Sequence, residues 1–129
     1  MRCSALIVAG AVDCFVMCSS ARAQDLFDLF MSPSDEARIG KEEHPKILEQ
    51  FGGNYADPKI SSYVNSIGKF LVQTSETPNA RFTFTVLNTP LVNAFALPGG
   101  YVYITRGILA LASNEAELAG VIAREIGHV

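Results

Sequence analysis

The side chains best suited to chemistry lie near the end of the sequence, in Arg124-Glu125-Ile126-Gly127-His128. Two histidines four residues apart lie about 40° apart around a helix, so both can bind one metal ion. In this motif, H-E-x-x-H, the glutamate polarises a metal-bound water and accepts its proton. Glu125 and His128 match the second and fifth positions, whereas Arg124 stands at the first. Glu and His three residues apart are common on helices, so the segment by itself is a weak signal: it fits a degenerate hydrolytic metal site, and an ordinary helix-surface pair is the alternative.

Arg124 is the residue that argues against metal binding at this site. A guanidinium group stays protonated and has no lone pair to offer a metal ion. Its fixed positive charge also repels a cation held nearby. A catalytic zinc takes three protein ligands and a water, and here the motif supplies only His128. The other histidine of the sequence, His44, lies beside Pro45, and we expect it at the surface or at a helix end.

The motif lies on a helix that the sequence predicts to begin at Glu115. Asn114 precedes it and Glu117 follows three residues later, which is the spacing of a capping box. We expect this helix to continue to Val129, because no capping signal comes before that residue. A short helix from Arg106 to Ala112 is predicted immediately before it.

A β-hairpin is predicted upstream of these helices. Apolar residues alternate with others from Phe82 to Val86, which is strand periodicity. Asn93 to Leu97 can form a short strand, and Tyr101 to Thr105 is a second β-rich run. Pro98-Gly99-Gly100 supplies the turn between them.

Two helices are predicted before the strands. Ser32-Pro33-Ser34 is a start signal for a helix that runs to about Glu43, before His44-Pro45, with a helical continuation that stops at Gly52-Gly53. Asp57-Pro58 then opens a second helix as N-cap and first-turn proline. Its apolar positions at helical spacing are expected to be buried: Ile60, Tyr63, Val64, Ile67 and Leu71.

Residues 1–23 have the features of an export signal. Arg2 gives a positive start, the stretch from Ala5 to Met17 is mostly apolar, and Ala21-Arg22-Ala23 fits a cleavage site. Asp13 interrupts the apolar stretch, which disfavours an uncleaved membrane anchor without excluding it. A lipoprotein interpretation through Cys18 is weaker. Membrane association therefore stays possible, but nothing in the sequence indicates it after cleavage of the signal.

Composition and cysteine content are consistent with one exported domain over residues 24–129. The chain has 129 residues, of which 49% are hydrophobic and 18% charged, and this suits a single globular domain. All three cysteines fall within residues 1–23, so the remainder needs no disulfide. A net charge of −3 without a basic run argues against binding of nucleic acid. We expect the periplasm or cell envelope as its location.

The ordered sequence around the motif resembles the HtpX- and BepA-type zinc metallopeptidases, peptidase family M forty-eight. The likeness rests on residues 93–100 (NAFALPGG), 101–107 (YVYITRG), 114–121 (NEAELAGV) and 125–129 (EIGHV). It extends more loosely over residues 36–53 and the helix after Pro58.

This resemblance implies an α+β fold of the zincin (gluzincin) type. Such a fold has N-terminal helices, a small mixed sheet with a hairpin, and an active-site helix, here truncated. It implies zinc as cofactor, His128 as a ligand and Glu125 as general base. The third ligand would be a glutamate on a later helix, which has no counterpart before Val129. Without later helices to cover them, four side chains of the final helix are expected to be partly exposed: Leu118, Val121, Ile122 and Ile126.

Substrate binding is also implied by the resemblance. An extended peptide would add to the edge strand that begins with Asn93, Ala94, Phe95 and Ala96, through backbone hydrogen bonds with little sequence selectivity. A plain structural hairpin is an equal alternative for this segment. The expected function is that of a zinc metalloendopeptidase for misfolded or envelope proteins, with this chain inactive. A non-catalytic peptide-binding pseudoenzyme and a structural export domain without a site are the alternatives.

Overall fold

The computed structural model describes residues 31–129, which form four helices and one three-stranded sheet. The predicted export signal and the three cysteines lie outside these residues. No helix within the described residues has the length and apolar character needed to cross a membrane. In chain order the elements are α1 (Pro33–Gln50), α2 (Pro58–Gln73), β1 (Thr83–Leu87), β2 (Ala94–Leu97), β3 (Tyr101–Thr105), α3 (Arg106–Leu111) and α4 (Glu115–Ile126).

The sheet is mixed, as the resemblance implies. β3 lies in the centre, with β1 parallel to it on one side and β2 antiparallel on the other. The predicted turn joins β2 to β3, and both Gly99 (φ +89°) and Gly100 (φ +81°) have left-handed backbone conformations. Glycine adopts these conformations without the steric cost that a Cβ atom brings.

One face of the sheet holds the main hydrophobic core. α2 packs on β1, and α4 packs on β2, β3 and α2. Strand residues alternate between the two faces, so even-numbered positions of β1 and β3 point toward these helices. The buried residues of this core are Val64, Ile67, Val72, Phe84, Val86, Val102, Ile104, Leu118 and Ile122.

The opposite face is covered by α1. Tyr103 is fully buried there, and its ring stacks on that of Phe95 at a centroid distance of 4.9 Å. Phe51, just after α1, contacts Phe95 at 5.2 Å. Together with the helices on the other face, α1 makes a three-layered mixed α/β arrangement.

The predicted break of the first helix near Glu43 is wrong, because α1 is one continuous helix through Pro45 to Gln50. Proline removes one helical hydrogen bond and its ring crowds the preceding turn. Aromatic packing of His44 and Phe51 against the sheet accompanies the continuation across Pro45. The helix does stop before Gly52-Gly53, as predicted, and both glycines have positive φ.

His44 is therefore not at a helix end, and it is only partly exposed. Its Nδ1 atom lies 2.7 Å from the hydroxyl of Tyr103, and its ring contacts that of Tyr101. Periodicity alone does not reveal this contact, because it joins residues 59 positions apart.

The predicted start of α2 is confirmed. The Asp57 carboxylate accepts hydrogen bonds from the N–H groups of Lys59 (3.0 Å) and Ile60 (3.3 Å). Of the apolar stripe, Val64 and Ile67 are buried, and Ile60 and Leu71 pack against the core. The expected burial of Tyr63 is wrong: it is 41% exposed, and its hydroxyl donates to the Glu115 carboxylate at 3.1 Å.

Candidate functional site

The helix that carries the candidate site is held at its start by the predicted cap. Asn114 Oδ1 accepts a hydrogen bond from the Glu117 N–H at 2.9 Å. The Glu117 carboxylate accepts one from the N–H of Ser113 at 2.8 Å, and thus bonds one residue earlier than in the predicted capping box. These bonds satisfy amide groups at the start of α4 and fix where the helix begins.

The expectation that the apolar side chains of α4 are left partly exposed is only half right. Leu118 is 3% exposed and Ile122 is fully buried, because both pack into the core with the sheet and α2. Val121 and Ile126 are partly exposed, as predicted. The sheet and α2 thus cover one side of α4 within the described residues.

The C-terminal end of α4 differs from the predicted uninterrupted helix. The helix ends at Ile126, with Gly127 as C-cap. The next two N–H groups, of His128 and Val129, bond to the carbonyls three residues back, at 3.1 and 3.4 Å. This is the tighter pattern of a 3₁₀ turn.

Glu125 and His128 belong to the same turn of this helix end. The backbone N–H of His128 donates to the carbonyl of Glu125, and in a 3₁₀ turn side chains three residues apart lie one above the other. Glu125 is partly exposed, whereas Arg124 and His128 are exposed. The structure therefore brings the predicted base and the predicted ligand onto one turn, with Arg124 adjacent.

The predicted peptide-binding strand lies beside this helix. α4 packs over β2, and Ala94 and Ala96 of that strand border the same core as Ala119 and Ile126 of α4. Within the described residues, β2 is paired with β3 on one side only, so its other side is an edge.

The four predicted peptide-binding residues do not present the same groups at this edge. In an antiparallel pair, residues alternately bond to the partner strand and point away from it. The N–H of Thr105 donates to the Asn93 carbonyl at 3.2 Å. Because the pattern repeats every two residues, the backbone N–H and carbonyl of Phe95 also face β3. The backbone groups of Ala94 and Ala96 consequently face the open edge. The Asn93 side chain is exposed, and the Phe95 ring packs toward α1.

Thr105 was not predicted as part of the site, yet it positions the start of β2. It is fully buried, and its hydroxyl donates toward the carbonyls of Leu91 (2.5 Å) and Asn93 (2.8 Å). Its Oγ1 atom also accepts from the N–H groups of Asn93 (3.1 Å) and Ile108 (3.2 Å). Sequence reasoning assigned Thr105 only to a strand, because the loop that it holds has no motif of its own.

Within the described residues, the set of side chains that could hold a zinc ion is incomplete. Among residues 31–129 there is no group of three His, Cys, Asp or Glu side chains that could hold a metal. His44 cannot complete the set with His128, because it lies on the sheet face that α1 covers, in contact with Tyr101 and Tyr103. Arg124 at the first position provides no donor atom.

Comparison with known proteins identifies the class. Residues 58–129 match Peptidase family M48, and this region contains α2 to α4 and the whole sheet. The chain therefore belongs to this family of metallopeptidases.

Individual relatives match shorter parts of much longer proteins. The Beta-barrel assembly-enhancing protease of Escherichia coli (strain K12) is 38% identical over 73 residues, which are 57% of this chain and 15% of that protein. The protein of the same name from Yersinia pestis gives the same values. Mitochondrial metalloendopeptidase OMA1 of Schizosaccharomyces pombe is 28% identical over 95 residues, 72% of this chain and 28% of that protein. The chain thus spans less than a third of the length of these relatives.

Proposed function

We propose that this chain is the N-terminal part of a zinc metalloendopeptidase domain over residues 24–129, with a gluzincin type of fold. The observation that carries the proposal is the common turn of Glu125 and His128 at the end of α4, within the region that matches the family. Glu125 has the position of a general base and His128 that of a metal ligand.

This chain is inactive under the proposal. Arg124 takes the place of a nitrogen ligand, and its charge opposes a cation at His128. One exposed imidazole beside a carboxylate and a guanidinium is a weak site for zinc, which is held in catalytic sites by three protein ligands. A single substitution in a decaying gene copy is the simplest source of Arg124. A charge pair between Arg124 and a carboxylate in a metal-free protein is the alternative.

The substrate class under this proposal is protein, taken as an extended segment along β2. Support comes from the open edge beside α4, where the backbone groups of Ala94 and Ala96 face outward. The bacterial relatives are named as proteases that enhance β-barrel assembly, so misfolded or envelope proteins are the proposed substrates. The export signal proposed for residues 1–23 fits a periplasmic or envelope location.

Metal analysis of the purified protein is the first test. Dialysis against zinc and then against buffer, followed by elemental analysis, is expected to leave far less than one zinc per chain. Incubation with an unfolded, fluorescently labelled protein is expected to give no cleavage that a chelator suppresses. One zinc per chain together with chelator-sensitive cleavage would overturn the proposed inactivity.

A non-catalytic peptide-binding role is the second candidate, favoured by the open edge of β2. In this case peptide binding persists in the presence of a chelator. Ala96→Pro removes from β2 an N–H group that faces the open edge. Ala119→Pro cannot serve as its comparison, because a proline there would break α4. Pro90→Ala, in an exposed loop before β2, is a control that leaves the edge intact. Binding that Ala96→Pro does not weaken would exclude β2 as the peptide site.

A further inference from the structure

A cavity of about 430 Å³ lies between the C-terminal half of α2 and the start of β1. Lys69 and Val72 of α2 line one side, and residues 81–84 line the other. α2 covers β1, whereas α4 covers β2 and β3. The cavity is therefore at the opposite edge of the sheet from β2, and it shares no residue with the candidate site on α4.

The cavity combines positive charge with an aromatic wall. Lys69 and Arg81 are both exposed at its rim, and neither forms an ion pair within residues 31–129. The rings of Phe82 and Phe84 stack at a centroid distance of 6.1 Å. Phe84 is buried against Gly68, whereas Phe82 is partly exposed. A ligand that fits has an apolar part and a negatively charged group.

β1 also has open backbone groups beside the cavity. The N–H of Thr83 donates to the Gly100 carbonyl, next to β3, so the backbone groups of Phe82 and Phe84 point away from β3. Farther along, the N–H of Tyr55 donates to the Val86 carbonyl at 2.8 Å and covers that part of the edge. Within the described residues, no element covers the edge from Phe82 to Phe84.

We propose that this edge of β1 and the cavity beside it bind an extended acidic peptide segment of another protein. The peptide bonds as a short strand to the outward groups of Phe82 and Phe84. One of its carboxylates lies between Lys69 and Arg81, and a neighbouring apolar side chain contacts Phe82. Backbone hydrogen bonds give the orientation, and the two cations give preference for an acidic residue.

This surface is independent of zinc and of the proposed peptidase activity. Neither β1 nor β2 has a charged residue of its own, and the positive charge at this surface comes from Lys69 and Arg81 beside the cavity. The open part of the β1 edge is short, so the free energy of peptide binding depends strongly on Lys69 and Arg81. The binding is therefore expected to weaken with salt, as exposed charge pairs do.

The test uses the full chain and a short labelled peptide of alternating valine and threonine with one central glutamate. Fluorescence anisotropy is expected to show binding that weakens by roughly tenfold or more when lysine replaces the glutamate. A similar loss is expected for the variant with Lys69→Glu and Arg81→Glu. A variant with Lys41→Glu and Lys59→Glu, two exposed lysines outside the cavity, has the same change in net charge and should bind like the unmodified chain.

NMR of the unmodified chain locates the bound peptide without relying on a variant. The amide signals of Phe82 and Phe84 are expected to shift and to exchange more slowly with solvent, while those of Ala94 and Ala96 stay unchanged. Shifts confined to Ala94 and Ala96, equal affinity for the lysine peptide, or equal losses in both double variants would overturn the proposal. Absence of binding to the glutamate peptide would do the same.

Discussion

The Nδ1 atom of His44 lies 2.7 Å from the hydroxyl oxygen of Tyr103 and joins α1 to the central strand. Tyr103 has no exposed surface, and its ring stacks near those of His44 and Phe95. Burial, with a smaller contribution from Tyr101, raises the pKa of Tyr103 to about 12. This hydroxyl therefore stays protonated at any ordinary pH, and the contact holds α1 against the sheet.

Tyr103→Phe tests the contribution of this hydrogen bond to stability. The variant keeps the ring but leaves the partly buried imidazole without its partner, so the free energy of unfolding should fall by about 1 kcal/mol. Urea unfolding at pH 7, followed by circular dichroism, measures the change. A variant as stable as the unmodified protein would show that water replaces the hydroxyl at no cost.

The difference in stability between the unmodified protein and Tyr103→Phe should change with pH in the alkaline range. The Tyr103 hydroxyl has the ordinary tyrosine pKa of about 10 in the unfolded chain and a pKa of about 12 in the folded protein. The folded state thus binds more protons between these values, so the stability linked to this group is complete below about pH 10 and is lost as the pH rises toward about 12. The stability difference from Tyr103→Phe should shrink over this interval. Parallel curves would contradict the raised pKa.

Two helical glycines are predicted to respond in opposite ways to alanine. A Cβ atom at Gly68 of α2 would lie 2.5 Å from the Phe84 ring, whereas one at Gly120 of α4 would meet nothing within 4 Å. Alanine gains about 1 kcal/mol over glycine inside a helix, and overpacking costs about 1–3 kcal/mol. Gly120→Ala should therefore raise the melting temperature, and Gly68→Ala should lower it.

Each glycine variant serves as the control of the other, because both make the same chemical change inside a helix. Thermal unfolding under identical conditions gives the comparison. Stabilisation by both substitutions would mean that the Phe84 ring moves aside easily. Destabilisation by Gly120→Ala would mean that this side of α4 is covered in a way that residues 31–129 do not reveal.

Local signals predicted the parts of the fold that depend on neighbouring residues. Asp57 before Pro58 and Asn114 before Glu117 marked two helix starts, because a cap needs only residues within one turn. Glycines at 99 and 100 marked the hairpin, because left-handed backbone favours glycine. Features that depend on distant partners were missed, such as the unbroken course of α1 across Pro45 and the position of His44 against β3.

The cap of α2 can be tested by comparing two substitutions at Asp57. Asp57→Ala removes the oxygen that accepts from the Lys59 and Ile60 N–H groups, and should lower the free energy of unfolding by about 1 kcal/mol. Asp57→Asn keeps an oxygen at this position and should cost much less. Chemical unfolding measures both. Equal losses would indicate that the charge of Asp57, rather than its oxygen acceptor, stabilises α2.

The candidate site could be predicted only in part from the sequence. Glu125 and His128 lie on one turn, where a backbone hydrogen bond joins them, and their roles as base and ligand stay predictions. The change to a 3₁₀ turn at Gly127 was not predicted, because the sequence around it is compatible with a continued helix. The register between β2 and β3 also could not be predicted from the sequence. This register determines that the backbone groups of Ala94 and Ala96, rather than those of Phe95, face outward.

Arg124→His is the substitution that tests the ancestry of this helix end. It removes the fixed cation and provides an imidazole four residues before His128, a spacing at which two histidines can share a metal ion. Arg124→Ala removes the cation without adding a ligand. Calorimetric titration with cobalt or zinc is expected to give roughly tenfold tighter binding, or about 1.4 kcal/mol, for Arg124→His than for Arg124→Ala, with the unmodified chain weakest.

A double variant with Arg124→His and His128→Ala distinguishes metal binding by two histidines from general attraction of the metal ion by nearby carboxylates. Its affinity should return to that of Arg124→Ala. Metal binding is also expected to extend α4 beyond Ile126, because histidines four residues apart reach one ion only when Gly127 and the following residue take helical conformations. Circular dichroism should then show added helix on titration with metal. Equal affinities for all the variants would mean that α4 does not end in the remnant of a metal site.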